Sequence, residues 1–276
     1  MGPVYEEGLE TVVRFAEEKR IPVVSPLANI ERMNSDVLFQ LAPDPARKYE
    51  KVEDLVGDGK RVTLIYTSTT DKEFEREVLA LLGNRTFERY NYRYEHPSSR
   101  GANSPSDLTP LLENDADNVF VILSDSEVDV DRILAALASA DTSITARGRT
   151  APRFTVLGNA RWNSYNNLDR AIFFKDRVVF ISTYHAKRDS EAVKAFDRVY
   201  LRSFGMLPTL FSYRGYDTAM IFAPAMYGDI EYDLEDRRFT PLQTTYLFSQ
   251  PEGRANHVNH NWTRVNYHND FTITIE

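Results

Sequence analysis

From Val62 to Phe204, short apolar runs alternate with helical periodicities, and this alternation constrains the fold more than any other feature. Val62-Thr63-Leu64-Ile65-Tyr66, Val119-Phe120-Val121-Ile122-Leu123, Phe154-Thr155-Val156-Leu157 and Val178-Val179-Phe180-Ile181-Ser182 are runs of strand length. Their continuous apolar character is that of strands buried on both faces. Between them, Phe74, Val78, Leu81 and Leu82, and later Val130, Ile133, Leu134 and Leu137, recur at helical spacing. Strand and helix in alternation predict parallel sheets covered by helices on both sides, an α/β architecture. In such sheets ligands bind beyond the carboxyl ends of the strands. That rule selects four segments, 25–29, 67–71, 124–127 and 158–163, all rich in Ser, Thr, Asn and Asp. Thr67, Ser68, Ser124, Asp125, Asn159 and Trp162 are the binding candidates they supply in the later strands.

Composition removes several function classes. The chain has 276 residues, roughly two domains' worth at about 150 residues each. A net charge of −8 argues against nucleic acid as a partner, because phosphate backbones require a basic surface. With no cysteine there is no thiolate catalysis, disulfide or cysteine-ligated metal. No Gly-rich phosphate loop, serine nucleophile elbow or zinc-protease motif is present, so neither an enzyme nor a cofactor is expected. No apolar run approaches the length needed to span a bilayer. The first residues lack the basic and apolar regions of a signal peptide. Leu9, Val12, Val13 and Ala16 then make one helical face, followed by the strand-like Ile21-Pro22-Val23-Val24. The chain therefore reads as opening in a βα loop inside a larger domain.

Elsewhere the pattern predicts a helix after Pro45 bearing Tyr49, Val52 and Val56. It also predicts a capping box from Thr70 to Glu73, a strand over 86–94, and a short helix at Leu108, Leu111 and Leu112. Helices follow over 190–204, closed by Gly205, and over 212–227. Strands over 242–248, 262–267 and 271–275 end the chain, with a turn at Pro251-Glu252-Gly253.

Several residues carry two readings. Asp125 is a partner for a ligand cation or a helix N-cap. Trp162 stacks on a ligand or fills the core. Tyr184 and His185 pack a hinge or touch ligand. Tyr90, Tyr92 and Tyr94 form a packed sheet face or a binding platform. His257, His260 and His268 have metal-compatible chemistry but sit in an Asn-rich hairpin without an acid cluster. Glu231, Asp233 and Asp236, beside Arg237 and Arg238, read as solvated surface rather than as catalytic carboxylates.

Three segments together resemble the type I periplasmic binding proteins, the group of branched-chain amino-acid receptors. They are Gly2-Pro3-Val4-Tyr5 leading to Ile21 through Asn29; Phe180-Ile181-Ser182-Thr183-Tyr184-His185 followed by Ser190 through Phe196; and Tyr200 through Pro208 with Tyr213-Arg214-Gly215-Tyr216-Asp217-Thr218-Ala219. The resemblance implies two Rossmann-like α/β lobes joined by a hinge. Lobe one would hold 1–42 and 185–238, and lobe two 43–184 and 239–276. The family's lobe one begins with roughly three more strand–helix units of about 30 residues each, so lobe one here would be incomplete. Ser25, Leu27, Ala28 and Asn29 match the family loop that holds a ligand carboxylate, whereas Val4-Tyr5-Glu6-Glu7 departs from its small hydroxyl residues. Tyr184 stands where the chain crosses between lobes.

The implied function is non-enzymatic: an extracytoplasmic module closing by a hinge on a small polar, amino-acid-like solute, for uptake or sensing. The implied setting is the periplasm or cell envelope, with a membrane transporter or cell-wall component as partner. A homodimer is a further expectation. The alternative is an envelope-associated interaction module on the same fold that has lost solute binding.

Overall fold

The computed structural model describes residues 6–27, 33–101, 103–228, 230 and 234–276. Its strands are β1 (Val23–Ser25), β2 (Leu38–Gln40), β3 (Lys60–Tyr66), β4 (Glu88–Asn91), β5 (Asp117–Ile122), β6 (Arg153–Asn159), β7 (Val178–Ser182), β8 (Arg238–Phe239), β9 (Tyr246–Ser249), β10 (His257–Asn259), β11 (Thr263–Tyr267) and β12 (Ile273–Ile275). Its α-helices are α1 (Glu6–Lys19), α2 (Lys72–Leu82), α3 (Glu127–Ala146), α4 (Ala171–Lys175), α5 (Glu191–Phe204) and α6 (Leu210–Ala225). The chain divides into two compact units, Met1–Lys48 with Ser182–Thr263, and Tyr49–Ile181 with Arg264–Glu276.

The first unit holds a five-stranded sheet in the order β1-β2-β10-β9-β8. β1, β2 and β10 are parallel, while β9 runs antiparallel to both β10 and β8. α1 buries Leu9, Val13 and Ala16 of its predicted face against Val23, Val37 and Leu38, while Val12, the fourth member of that face, is exposed. On α6, Ile221 and Phe222 join Phe39, Tyr246 and Phe248 in a second cluster.

This sheet corrects the expected boundary at residue 239. Residues 239–263 belong with the first unit, because β9 and β10 pair into its sheet. The Asn-rich hairpin is formed by β9 and β10, and its second strand is fully buried. Its Asn259 side chain finds internal partners, which is what burial demands of it. The His257 ring lies flat on Phe39 at 4.5 Å, and the Asn259 amide donates to the Leu41 carbonyl at 3.0 Å. The Asn259 carbonyl oxygen accepts from the backbone N–H of Leu247 at 3.1 Å.

The second unit holds a seven-stranded sheet in the order β12-β11-β7-β6-β5-β3-β4. The four apolar runs became β3, β5, β6 and β7. They are parallel with β4 at one end, and β11 and β12 pair antiparallel at the other. The predicted stripe of α3 is buried at Val130, Ile133, Leu134 and Leu137 against Phe120, Ile122 and Phe154. In the first unit, α5 is closed by Gly205 at φ 69°, the left-handed position that favours glycine.

Three local expectations change. The single helix after Pro45 is two 3-10 turns, Pro45–Arg47 and Glu50–Leu55, with the boundary between units at Lys48 and Tyr49 between them. The short helix near 108–112 is a 3-10 turn, Thr109–Leu111. α2 is capped by Asp71, whose carboxylate accepts from the N–H groups of Glu73 and Phe74, rather than by Thr70. The Thr70 hydroxyl turns back to the Thr67 carbonyl instead.

One glycine is required by close approach. A Cβ on Gly158 in β6 would lie 2.6 Å from both a Phe180 and a Trp162 ring carbon. Those rings belong to the packed core, so neither can swing into solvent. Gly158→Ala is expected to cost about 1–3 kcal/mol in urea unfolding, the usual range for overpacking. An unchanged midpoint would show that the two rings can separate.

Candidate functional site

The carboxyl end of the seven-stranded sheet gathers the three loops that follow β3, β5 and β6. The loop after β3 is a tight hydroxyl-bonded turn. The Thr67 N–H donates to Thr70 Oγ1 at 3.0 Å, and the Thr69 N–H donates to Thr67 Oγ1 at 3.1 Å. Thr69 Oγ1 then lies 2.8 Å from Ser124 Oγ and donates to the Asp129 carboxylate at 2.8 Å. Backbone bonds lock the same two loops, from the Asp125 N–H to the Thr69 carbonyl at 3.1 Å and from the Asp71 N–H to the Leu123 carbonyl at 2.6 Å.

The third loop joins through charge and phenol. Arg161 pairs with Asp71 at 3.4 Å, and the Tyr165 hydroxyl donates to the Asp125 carbonyl at 2.7 Å. Burial raises the Tyr165 phenol, with Arg161 opposing the shift, so it stays a neutral donor. The result is a polar rim tied together by internal bonds, with little reorganisation left to do on meeting a ligand.

The candidates divide sharply on this rim. Ser124 is buried and serves the loop, accepting from the Ser126 N–H at 3.1 Å. Thr67 is half-buried, and Ser68 and Asp125 are exposed. Asp125 is not the N-cap of α3. Ser126 holds that position, accepting from the Asp129 N–H, and among the described residues the Asp125 carboxylate has no bonded partner. Asn159 spends its carbonyl oxygen on the Arg161 N–H, capping the 3-10 turn Ala160–Ser164.

Trp162 is a core residue, 1% exposed, with its ring against Phe173 and Phe180. Ligand stacking is thereby removed from its two readings. The side chains that sequence reading missed here are Thr69, Arg161 and Tyr165. A Thr-Ser-Thr-Thr run before a helix-capping Asp was the available signal for the first.

In the first unit, Ser25 is buried at the carboxyl end of β1 and Leu27 is half-buried, while Ala28 and Asn29 lie outside the described residues. So do Val4, Tyr5, Glu231 and Asp233. Tyr184 is half-buried beneath Arg214, whose guanidinium carbon stands 5.4 Å from the ring centre. Burial raises the Tyr184 phenol, with Arg214 opposing. The His185 imidazole is depressed by burial, with the charge of Asp189 opposing, and the His185 backbone N–H donates to the Gln243 carbonyl at 2.8 Å.

Beside these residues runs a buried network that the Tyr-Arg-Gly-Tyr-Asp motif builds. Asp217 accepts from the N–H groups of Leu242 and Gln243 at 3.0 and 3.1 Å, and from the Tyr246 hydroxyl at 2.9 Å. Arg214 donates to Tyr246 at 3.3 Å. Burial raises the Asp217 carboxyl despite these donors and Arg214. An Arg and an Asp three residues apart in an otherwise apolar helix were the legible signal for this network.

The remaining histidines are engaged locally. His260 lies 2.9 Å from Ser249 and His268 lies 2.8 Å from Thr274. Among the described residues no cluster of three or more His, Asp or Glu could hold a metal ion. Among them, too, no helix is long and apolar enough to cross a membrane.

No family model matches the sequence, and no curated protein matches it. Solved structures do match. One is a protein described as a branched-chain amino acid ABC transporter from Rhodospirillum rubrum, with a TM-score of 0.56 and 16% identity. The match covers 95% of this chain and 74% of that one. A second is an ABC transporter substrate-binding protein from Desulfitobacterium hafniense in complex with Leu, with a TM-score of 0.50 and 14% identity over 96% of this chain and 76% of that one. Two α/β units with mostly parallel sheets, a chain passing between them more than once and these matches agree: the chain has a type I periplasmic-binding-protein-like fold.

Proposed function

We propose that this chain is a non-enzymatic, extracytoplasmic solute-binding module that captures a small polar, amino-acid-like ligand by hinge closure, for uptake through a membrane transporter or for sensing. The observation that carries the reading is the polar rim of the second unit. It is preassembled, lies at the carboxyl ends of parallel strands where α/β sheets bind ligands, and offers an exposed Asp125 carboxylate with Ser68 and Thr67 beside it. A carboxylate is the group that meets a ligand ammonium, and the hydroxyls supply donors and acceptors. The Leu complex of the Desulfitobacterium protein supports the same ligand class. Ser25 and Leu27, with Ala28 and Asn29, are the groups assigned to the ligand carboxylate.

Thermal unfolding in the presence of L-leucine, then of the other amino acids, short peptides and sugars, tests the proposal. A ligand at about 100 times its Kd should stabilise the protein by about 2.7 kcal/mol through mass action. Asp125→Asn should weaken an ammonium-bearing ligand by about 1.5–3 kcal/mol, the size of a hydrogen bond to a charged group, while leaving the ligand-free midpoint in place. Stabilisation by no solute would contradict the reading.

A second reading, an envelope-associated interaction module without a solute, has one observation in its favour. The hairpin of α5 and α6 exposes Val199, Phe204, Met206, Leu207, Phe211 and Met220, each more than half accessible. Exposed apolar groups gathered in this way mark interaction surfaces. Pull-down of a cell-wall or membrane partner by a protein that no solute stabilises would support it.

A further inference from the structure

A recess of about 400 Å³ opens in the second unit between α3 and the segment following β4. It is separate from the hydroxyl rim: neither Ser68, Thr69, Ser124 nor Asp125 lines it. Its volume lies within the range of small-molecule sites. Tyr92 and Tyr94 form one wall, and Ala135, Ala136 and Ala140 of α3 form a floor of small side chains.

The charge in the recess opposes that of the chain. Arg100, Arg132 and Arg147 against Asp107 and Asp131 leave one net positive charge in a chain of net −8. Asp107 accepts from the Thr109 N–H at 2.9 Å and keeps its charge. The Arg132 guanidinium sits 3.9 Å from the centre of the Tyr94 ring and has no ion-pair partner among the described residues. An arginine stacked on an aromatic face keeps its in-plane N–H donors for a planar acceptor. Arg100 anchors to the Glu95 carbonyl through Nε at 3.2 Å, which orients its terminal nitrogens without consuming them. Burial raises the Tyr92 phenol, with Arg100 and Arg132 near enough to oppose the rise and Asp129 reinforcing it.

The walls are built in advance. Ser106 Oγ donates to the Arg93 carbonyl at 2.8 Å and accepts from the Glu95 N–H at 2.5 Å, while Ser104 Oγ donates to the Glu95 carboxylate at 2.7 Å. These bonds pin the loop that carries Arg100. Two fixed guanidinium forks, an aromatic wall and a small-residue floor are the complement of one chemistry, an oxyanion on a compact apolar body.

We propose that this recess is a second ligand site, for a small organic oxyanion held by Arg132 and Arg100 with its apolar part on Tyr92 and the alanines of α3. Phenylacetate and phenyl phosphate share one apolar body and differ in the oxyanion, and benzyl alcohol is the neutral control. Isothermal titration should show one of the two anions binding the wild-type protein and no binding of benzyl alcohol. The anion that binds tells carboxylate from phosphate ester as the source. Arg132→Gln should weaken that anion by about tenfold, equivalent to about 1.4 kcal/mol.

Ser139→Trp, at an exposed position on the α3 wall, should fill the recess and abolish binding with the far-ultraviolet dichroism unchanged. The anion should not compete with any solute that stabilises the protein through the rim. Binding of neither anion, equal affinity in both variants, or competition with the rim solute would each overturn the proposal.

Discussion

Asp176→Asn should stabilise the protein by several kcal/mol at alkaline pH and by almost nothing near pH 4. Asp176 follows α4, is fully buried, and neither carboxylate oxygen has a hydrogen-bond partner among the described residues. Burial, reinforced by the charge of Asp141, pushes its carboxyl up to about 8, with Arg177 and Lys175 opposing. In the unfolded chain the same group titrates near its ordinary value of about 3.9. Folding therefore takes up a proton over the interval between the two values. The folded state is fully favoured below the unfolded value, and its advantage falls as pH rises towards the folded value.

At neutral pH the accumulated penalty is on the order of 4 kcal/mol, at about 1.4 kcal/mol for each pH unit above the unfolded value. An amide does not ionise and escapes it. Urea unfolding of the wild type and Asp176→Asn between about pH 4 and pH 8 should show two curves that meet at the acid end and diverge upwards. Parallel curves would mean that Asp176 reaches solvent or a cation.

Asp217→Asn should be the opposite case, destabilising by about 3–5 kcal/mol, the cost of breaking a buried charged network from one side. The Asp217 carboxylate takes three donors, two from the backbone of 242–243 and one from Tyr246, and an amide group can accept at only one of its two ends. Whichever way it turns, a buried N–H or hydroxyl faces another donor. Arg214, buried at 4% exposure, loses the negative charge of Asp217. Tyr246→Phe keeps the carboxylate and removes one hydroxyl, so it should cost about 1–3 kcal/mol. Equal losses from the two substitutions would show that Tyr246, not the carboxylate, organises the network.

The sequence made the second unit's sheet readable because β3, β5, β6 and β7 are buried on both faces and carry that burial as unbroken apolar runs. Ser190 and Gly205 bracketed α5 for the same local reason, since caps are properties of a few adjacent residues. What was not legible depends on partners distant in the chain. β10 is polar in sequence and buried in structure, because Leu41 and Leu247 bond the Asn259 amide while Phe39 stacks on the His257 ring.

Trp162 could not be placed from sequence, since its surroundings come from α4 and β7. The rim was legible as a set of loops selected by strand ends. Its wiring through Thr69, Arg161 and Tyr165 was not, because those bonds join loops roughly 40 to 90 residues apart. From sequence, the tyrosines at 90, 92 and 94 read as a packed face or a binding platform. Tyr92 is buried, while Tyr94 turns outward to Arg132.

The central claim is that a small polar solute engages the rim formed by segments 67–71, 124–127 and 159–165. Hydrogen-exchange mass spectrometry with the first solute that raises the unfolding midpoint reads this directly. Slower exchange concentrated in those three segments, and lost in Asp125→Asn, is the predicted result. Protection confined to other parts of the chain, with these loops exchanging as in the free protein, would contradict the account.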